Sequence, residues 1–115
     1  MNNKREIGTR KEELAAQYLG GQGVRILDRN FRCRQGEIDL IGRDGTYLVF
    51  FEVKYRKNAK KGLPEEAVDA RKQQKIRYTA QYYLYQHRYS EETSCRFDVI
   101  SILGDTITWM KDAFA

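Results

Sequence analysis

The stretch GEIDLIGRDGTYLVFFEVKYR, residues 36–56, decides the fold. Two runs rich in aliphatic, β-branched and aromatic residues flank Asp44-Gly45, a dipeptide favoured where two strands reverse into a hairpin. Within them charged residues recur at every second place, Glu37 and Asp39 in the first run, Glu52 and Lys54 in the second. Alternate side chains of a strand share a face, so Glu37 and Asp39 point one way while Ile38 and Leu40 point the other. Glu52 and Lys54 separate likewise from Phe51, Val53 and Tyr55. A two-residue loop, whether Asp44-Gly45 or Gly45-Thr46, makes facing positions sum to an odd number. Both acidic sets then lie on one side of the sheet, and a slip of one residue would part them.

Carboxylates gathered on one face repel, and burial makes their ionised forms costlier. A divalent cation compensates: Mg²⁺ takes one or two carboxylates, keeps several waters and leaves room for phosphate oxygens. A lysine two residues along the same face can stabilise a nucleophilic water and developing negative charge. Asp39 with Glu52-x-Lys54 is therefore a compact arrangement for phosphodiester hydrolysis. The same alternation also describes a solvent-facing sheet surface on which Lys54 neutralises Glu52 and Asp39. Spacing alone leaves both readings open.

Upstream, Thr9 and Glu12 have the spacing of a capping box, followed by Leu14, Ala15, Tyr18 and Leu19 at helical intervals. Gly20 to Gly23 ends that helix, and VRILDRNFRC reads as a strand broken near Asp28 to Asn30. Downstream, residues 56–66 hold the only proline and much of a basic cluster, and read as an exposed loop. A long helix is expected from Asp69 to His87 or Tyr89. Its one face carries Lys72, Gln73, Ile76, Ala80, Tyr83, Leu84 and His87, and its other Tyr78, Tyr82, Tyr85 and Tyr89. RFDVISIL and TITWM close the chain as a hairpin turning at Gly104-Asp105. The order is helix, three strands, helix, two strands, with the second helix long enough to cross over between parallel strands, so a mixed sheet flanked by helices is expected.

The chain of 115 residues suits one compact domain, taken as residues 1–115, and a hydrophobic content of 41% suffices for a core. Twenty-one Lys and Arg against sixteen Asp and Glu give a net charge of +5, which favours an anionic partner such as nucleic acid. Cys33 and Cys95 have neither CxxC spacing nor a nearby histidine, so buried thiols in a reducing cytosol are expected rather than zinc ligands or a disulfide. No apolar run reaches the length of a membrane span and the N-terminus has no signal-like segment, so a cytoplasmic protein is expected.

GTRKEELAAQYL, RNFRCRQGEIDLIGRDG, VFFEVKYR, GLPEEAVDARKQQKI with AQYYL, RFDVISI and the closing DAF together resemble the YraN-like family of small bacterial proteins. That family is similar to the PD-(D/E)xK, restriction-endonuclease-like superfamily, with archaeal Holliday junction resolvases as structural cousins. The resemblance spans nearly the whole chain, and GEIDLI followed by FEVKYR is its most specific part. It implies an αβββαβ core of restriction-endonuclease-like α/β fold, with Asp39, Glu52 and Lys54 at the catalytic positions, Asp39 and Glu52 holding Mg²⁺ or Mn²⁺, and Glu12 as an auxiliary acid. Lys11 stands where the family commonly has glycine, and Tyr55 where threonine is usual.

Other residues are weighed from the sequence alone. Glu12 is equally the capping partner of Thr9. Glu37 is left outside the core site, as a supporting group or a surface charge. Asp98, an acid in an apolar strand, is expected to pair with Arg or Lys. Lys72 and Gln73 reach the rim of the acidic site, where they position phosphate or simply cover apolar neighbours. Two basic clusters, Arg25, Arg29, Arg32, Arg34 and Arg56, Lys57, Lys60, Lys61, flank the acidic hairpin as a site gripping a sugar-phosphate backbone requires. The nucleic-acid contacts expected are Arg34, Arg56, Lys57, Lys72 and Gln73. The tyrosine stripe is read as packing or self-association surface, and His87 as structural. The expected function is metal-dependent endonuclease action on DNA, including branched or structured substrates, with a homodimer compatible. The alternatives are a nucleic-acid-binding module with little turnover and a protein interaction domain built on the tyrosine-lined helix.

Overall fold

The computed structural model describes residues 4–58 and 68–115, with side chains from residue 7 onward. The elements run α1 (Lys4–Gly21), β1 (Arg25–Cys33), β2 (Gly36–Asp44), β3 (Tyr47–Arg56), α2 (Ala70–Gln86), β4 (Cys95–Leu103) and β5 (Thr106–Phe114). This is an α/β fold whose five strands form one sheet in the order β1-β2-β3-β4-β5. β3 and β4 pair in parallel and every other neighbouring pair is antiparallel, so the sheet is mixed. α2 lies within the crossover that joins the two parallel strands.

Local chemistry accounts for most boundaries. α1 ends where Gly23 adopts a φ of 94°, its N–H donating to the Gly20 carbonyl while the Val24 N–H donates to that of Leu19. This is a Schellman stop, and Val24 folds back onto the buried Leu19. α2 starts at Asp69, whose carboxylate accepts from the Lys72 N–H at 2.9 Å. It stops in the same way as α1, with Arg88 at φ 58° and the Tyr89 N–H donating to the Leu84 carbonyl. Tyr89 is thereby turned under the sheet, where it stacks on Tyr83. It leaves the expected tyrosine stripe, of which Tyr78, Tyr82 and Tyr85 stay exposed.

One expectation at the N-terminus fails. α1 begins at Lys4, so Thr9 lies inside the helix and Thr9-x-x-Glu12 caps nothing. Lys, Arg and Glu are good helix formers, and the single Gly8 costs too little to stop a helix that packs on a sheet.

The sheet separates two cores. Ala15, Ala16 and Leu19 of α1 pack on Leu40, Val49, Phe51, Ile100 and Ile102, while Ile76, Ala80 and Tyr83 of α2 pack on Ile38, Ile41, Leu48 and Phe50. Each fully buried Leu, Ile or Phe contributes about 1.5–3 kcal/mol. Ile38 and Leu40 thus lie on opposite sides, where strict alternation put them together. On the partnering strand Asn30 takes a φ of 51° between the pairs Arg29↔Leu40 and Phe31↔Ile38, and the β1–β2 register shifts between Ile26 and Asp28. The tips of β1 and β2 turn over towards α2 beyond this point.

β4 and β5 hold the expected ion pair. Asp98 is fully buried and receives hydrogen bonds from Arg96 at 2.8 Å, from the Trp109 indole at 2.8 Å and from the Asp112 N–H at 2.9 Å. Arg96 also reaches Asp44 at 2.8 Å. His87 is structural as expected: its ring stacks on Tyr83 and its Nδ1 lies 3.0 Å from the Tyr83 carbonyl. Both cysteines are free, as expected, but each is only half-buried. Lys60, Lys61 and Pro64 lie outside the described residues. Among the described residues no helix is long and apolar enough to cross a membrane.

Candidate functional site

The β2–β3 turn is Gly45-Thr46, with Gly45 at a φ of 60°, and the ladder runs from Asp44↔Tyr47 to Leu40↔Phe51. Continued by one step, this register sets Asp39 opposite Glu52, as the odd sum requires. The recorded pairing stops at Leu40↔Phe51. Beyond it the Asp39 carboxylate accepts from the Val53 N–H at 2.8 Å, taking the place of a backbone carbonyl. A side chain closing the gap between strands is what holds Asp39 inward and nearly buried.

Around Asp39 the remaining groups converge. Glu12 of α1 hydrogen-bonds to Asp39 and to Asn30, which explains why the helix acid faces the sheet rather than a cap. Carboxylate oxygens of Glu12, Glu37 and Asp39 all lie within 4.8 Å of one another. Glu52, buried on β3, touches Asp39 and is met by two lysines, Lys54 Nζ at 3.7 Å and Lys72 Nζ at 3.0 Å. Beside them opens a cleft of about 150 Å³, lined by Gly36, Glu37, Asp39, Glu52, Lys72 and Lys75 among others.

The crowding shows in the proton affinities. Burial and the neighbouring Glu52 push the Asp39 carboxyl up to about 8, against the pull of the Val53 N–H. Glu12 is raised by burial as well, with Glu37 and Glu52 adding to it and the Asn30 and Asp39 hydrogen bonds opposing it. Burial and its hydrogen bond with Lys72 draw Lys54 below the ordinary lysine range, so of the two amines it releases its proton more readily. Burial opposes charge on Lys72 too, but contact with Lys54 and Glu52 outweighs it and holds that ammonium up.

The matching family model covers residues 11–102 and is described as Uncharacterised protein family UPF0102. The chain belongs to that family. A UPF0102 protein of Lachnoclostridium phytofermentans is 54% identical over 112 residues, covering 97% of this chain and 95% of the relative. One from Colwellia psychrerythraea is 47% identical over 90% of this chain and 84% of its own, and one from Klebsiella pneumoniae 44% identical over 96% and 87%. Their shared description names no activity, so chemistry must be read from this UPF0102 chain's own groups.

Of the residues singled out in sequence, Glu12, Asp39, Glu52, Lys54 and Lys72 come together. Arg56 follows Lys54 by two places on β3 and so shares its side of the strand, with one guanidinium nitrogen donating to the Tyr55 carbonyl at 3.2 Å. Lys57 is exposed just past β3. Gln73 donates to the Val68 carbonyl at 3.1 Å. Arg34 is exposed in the Arg34-Gln35 turn between β1 and β2. Glu37, read as a supporting group or a surface charge, joins the acidic group on the face it shares with Asp39. One participant escaped sequence reasoning: Asn30 supports Glu12, and an asparagine within a strand, a residue tolerant of positive φ, was the available signal.

Proposed function

We propose that this UPF0102 protein is a metal-dependent endonuclease of PD-(D/E)xK type acting on DNA, including branched or structured forms. The observation that carries it is the gathering of Asp39, Glu52, Glu12 and Glu37 with Lys54 and Lys72, of which Glu37, Asp39, Glu52 and Lys72 line one cleft, while burial and Glu52 raise the proton affinity of Asp39. Four carboxylates with no cysteine or histidine among them are hard oxygen donors, which suit Mg²⁺ or Mn²⁺ rather than Zn²⁺. Asp39 and Glu52 would hold the ion, with Glu12 and Glu37 in support. Such an ion supplies positive charge to the phosphoryl oxygens as charge builds there.

The chain's own residues do the rest. Hydrolysis joins a water oxygen to phosphorus and breaks one P–O ester bond, leaving a phosphate monoester and a hydroxyl. Lys54, beside Glu52 and of lowered proton affinity, is the group to orient that water and to accept or balance its proton. Lys72 and Arg56 would hold the flanking phosphates, and Arg34 and Lys57 phosphates further from the cut. A net charge of +5 supports a polyanionic partner.

Purified protein incubated with Mg²⁺ or Mn²⁺ and single-stranded, duplex, flap and four-way DNA tests this directly. Cleavage is expected that EDTA, Asp39→Asn and Lys54→Ala each abolish while binding persists. Salt-sensitive binding with no cleavage by the wild type under any of these conditions overturns the enzyme reading and leaves a binding module.

A further inference from the structure

A second cleft, of about 400 Å³, lies between the β1–β2 turn and the C-terminal half of α2, lined by Phe31, Arg32, Arg34, Gln35, Tyr82 and Gln86, with Cys33 beside them. Its walls differ from those of the acidic cleft. Tyr82 leaves 45% of its surface exposed and meets Phe31 at a ring-centroid distance of 6.1 Å with the planes tilted by 33°. Phe31 is itself fixed edge-on against the buried Tyr83 at 5.0 Å, so the aromatic wall is anchored in the core. Gln35 and Gln86 bring side-chain amides, which both donate and accept hydrogen bonds. Arg32 and Arg34 bring positive charge at the mouth, and Arg32 is held 3.2 Å from Glu37, a member of the acidic cluster.

The two clefts follow one another along α2. Lys72, Lys75 and Ile76 line the acidic cleft, Tyr82 and Gln86 the second, and Thr79 stands between them. There the hairpin rests on the helix, with Cys33 Sγ 3.5 Å from the Thr79 hydroxyl and Gly36 packed so closely that a methyl group on it would come within 3.1 Å of that oxygen. From Ile76 to Tyr82 the helix advances about 9 Å. At ~3.4 Å per stacked nucleotide that is a span of about three nucleotides.

We infer that the cleft at Phe31 and Tyr82 receives one unpaired nucleobase of the strand whose phosphate occupies the acidic cleft. The inference rests on the nucleic-acid reading above and narrows its substrate to DNA with a single-stranded segment next to the cut. A base within duplex must first be unpaired and unstacked, at a few kcal/mol, before it can enter a side cleft; an unpaired one swings in without that cost and lays its face on Tyr82. Stacking accepts every base, and amides that donate and accept match any base edge, so the subsite reads the absence of pairing rather than sequence. Arg34 holds the backbone at the turn, and Arg32 bridges the two clefts through Glu37.

The test is binding in EDTA, where cleavage is silent, followed by fluorescence anisotropy with blunt duplex and with duplex carrying a single-stranded overhang. Tyr82→Ala should weaken overhang binding about tenfold or more and leave duplex binding unchanged, while Tyr82→Phe keeps the wild-type affinity. Overhangs carrying one abasic site, moved a position at a time, should bind wild type as weakly as Tyr82→Ala binds the intact strand at one position only. At that position Tyr82→Ala should cost nothing further. Equal losses on duplex and overhang, no loss on either, or no position at which the abasic site matters each overturn the inference, and the melting temperature of Tyr82→Ala shows that its fold is intact. Overhang binding that depends on Tyr82 in a protein that cleaves nothing would refute the nuclease reading alone. Failure of wild type to bind any nucleic acid would refute both.

Discussion

Replacing Asp39 by asparagine isolates the electrostatic strain in the acidic cleft. The amide keeps an oxygen to accept from the Val53 N–H and fills nearly the same space, so what it removes is the ionisable proton site. The folded carboxyl sits near 8 against 3.8 without the fold's influence. Between those values the native state holds a proton that the unfolded chain has given up, so this group makes the metal-free protein less stable as pH rises through that window. Above the window the loss is complete; below about pH 4 it vanishes. For one proton the slope is about 1.4 kcal/mol per pH unit. From pH 5 to pH 7 this gives at most about 3 kcal/mol, or roughly 10 °C in Tm for a chain of this length. Melting curves of both proteins in EDTA, buffered from pH 4 to 9, should show Asp39→Asn gaining on wild type across the window and the gain levelling off above pH 8. Mg²⁺ or Mn²⁺ should raise the wild-type Tm most at the alkaline end, and that of Asp39→Asn far less. A Tm difference that stays flat with pH would refute the claim that these carboxyls are crowded.

Three further outcomes are expected. Arg96→Met leaves Asp98 charged and fully buried with only two neutral donors, and should cost about 3 kcal/mol or more in urea unfolding. In Gly42→Ala the new methyl meets Val24 Cγ1 at 2.9 Å and the Arg25 carbonyl at 3.0 Å, so the α1 side of the sheet must shift, at about 1–3 kcal/mol by thermal melting. Lys72→Met leaves Glu52 with Lys54 alone at 3.7 Å and should lower stability by about 1 kcal/mol in urea.

How much of this was legible in sequence differs from element to element. The register of the central hairpin followed from a two-residue turn and the parity of its strands, and with it the meeting of Asp39, Glu52 and Lys54. The partner of Asp98 could be anticipated because a lone acid among aliphatic residues needs one, although the sequence did not say it would be Arg96, two places along. α2 was readable from its apolar period, and its start at Asp69 turned out to be a cap. What escaped was set by single backbone angles or by tertiary contact. Asn30 and Arg88 at positive φ carry no periodic signal, yet the first lies on β1 beside the point where Ile38 and Leu40 part to opposite faces and the second turns Tyr89 back onto Tyr83. The Thr9-x-x-Glu12 spacing matched a cap inside a helix already running, and Glu12 turns to Asn30 and Asp39 instead.

The order of the strands also sets an order of assembly. Three of the four seams join strands consecutive in the chain through two-residue turns, and only the seam between β3 and β4 waits for the crossover to return. Closing that loop of roughly 40 residues costs on the order of 3 kcal/mol of chain entropy, while a meander of local contacts forms first. Glu37, Asp39, Glu52 and Lys54 all ride on the early meander, and Lys72 arrives with the late crossover. The acids thus receive their second countercharge only after the crossover has closed, and in stopped-flow mixing the loss of Lys72 should hasten unfolding while leaving the refolding rate as it was.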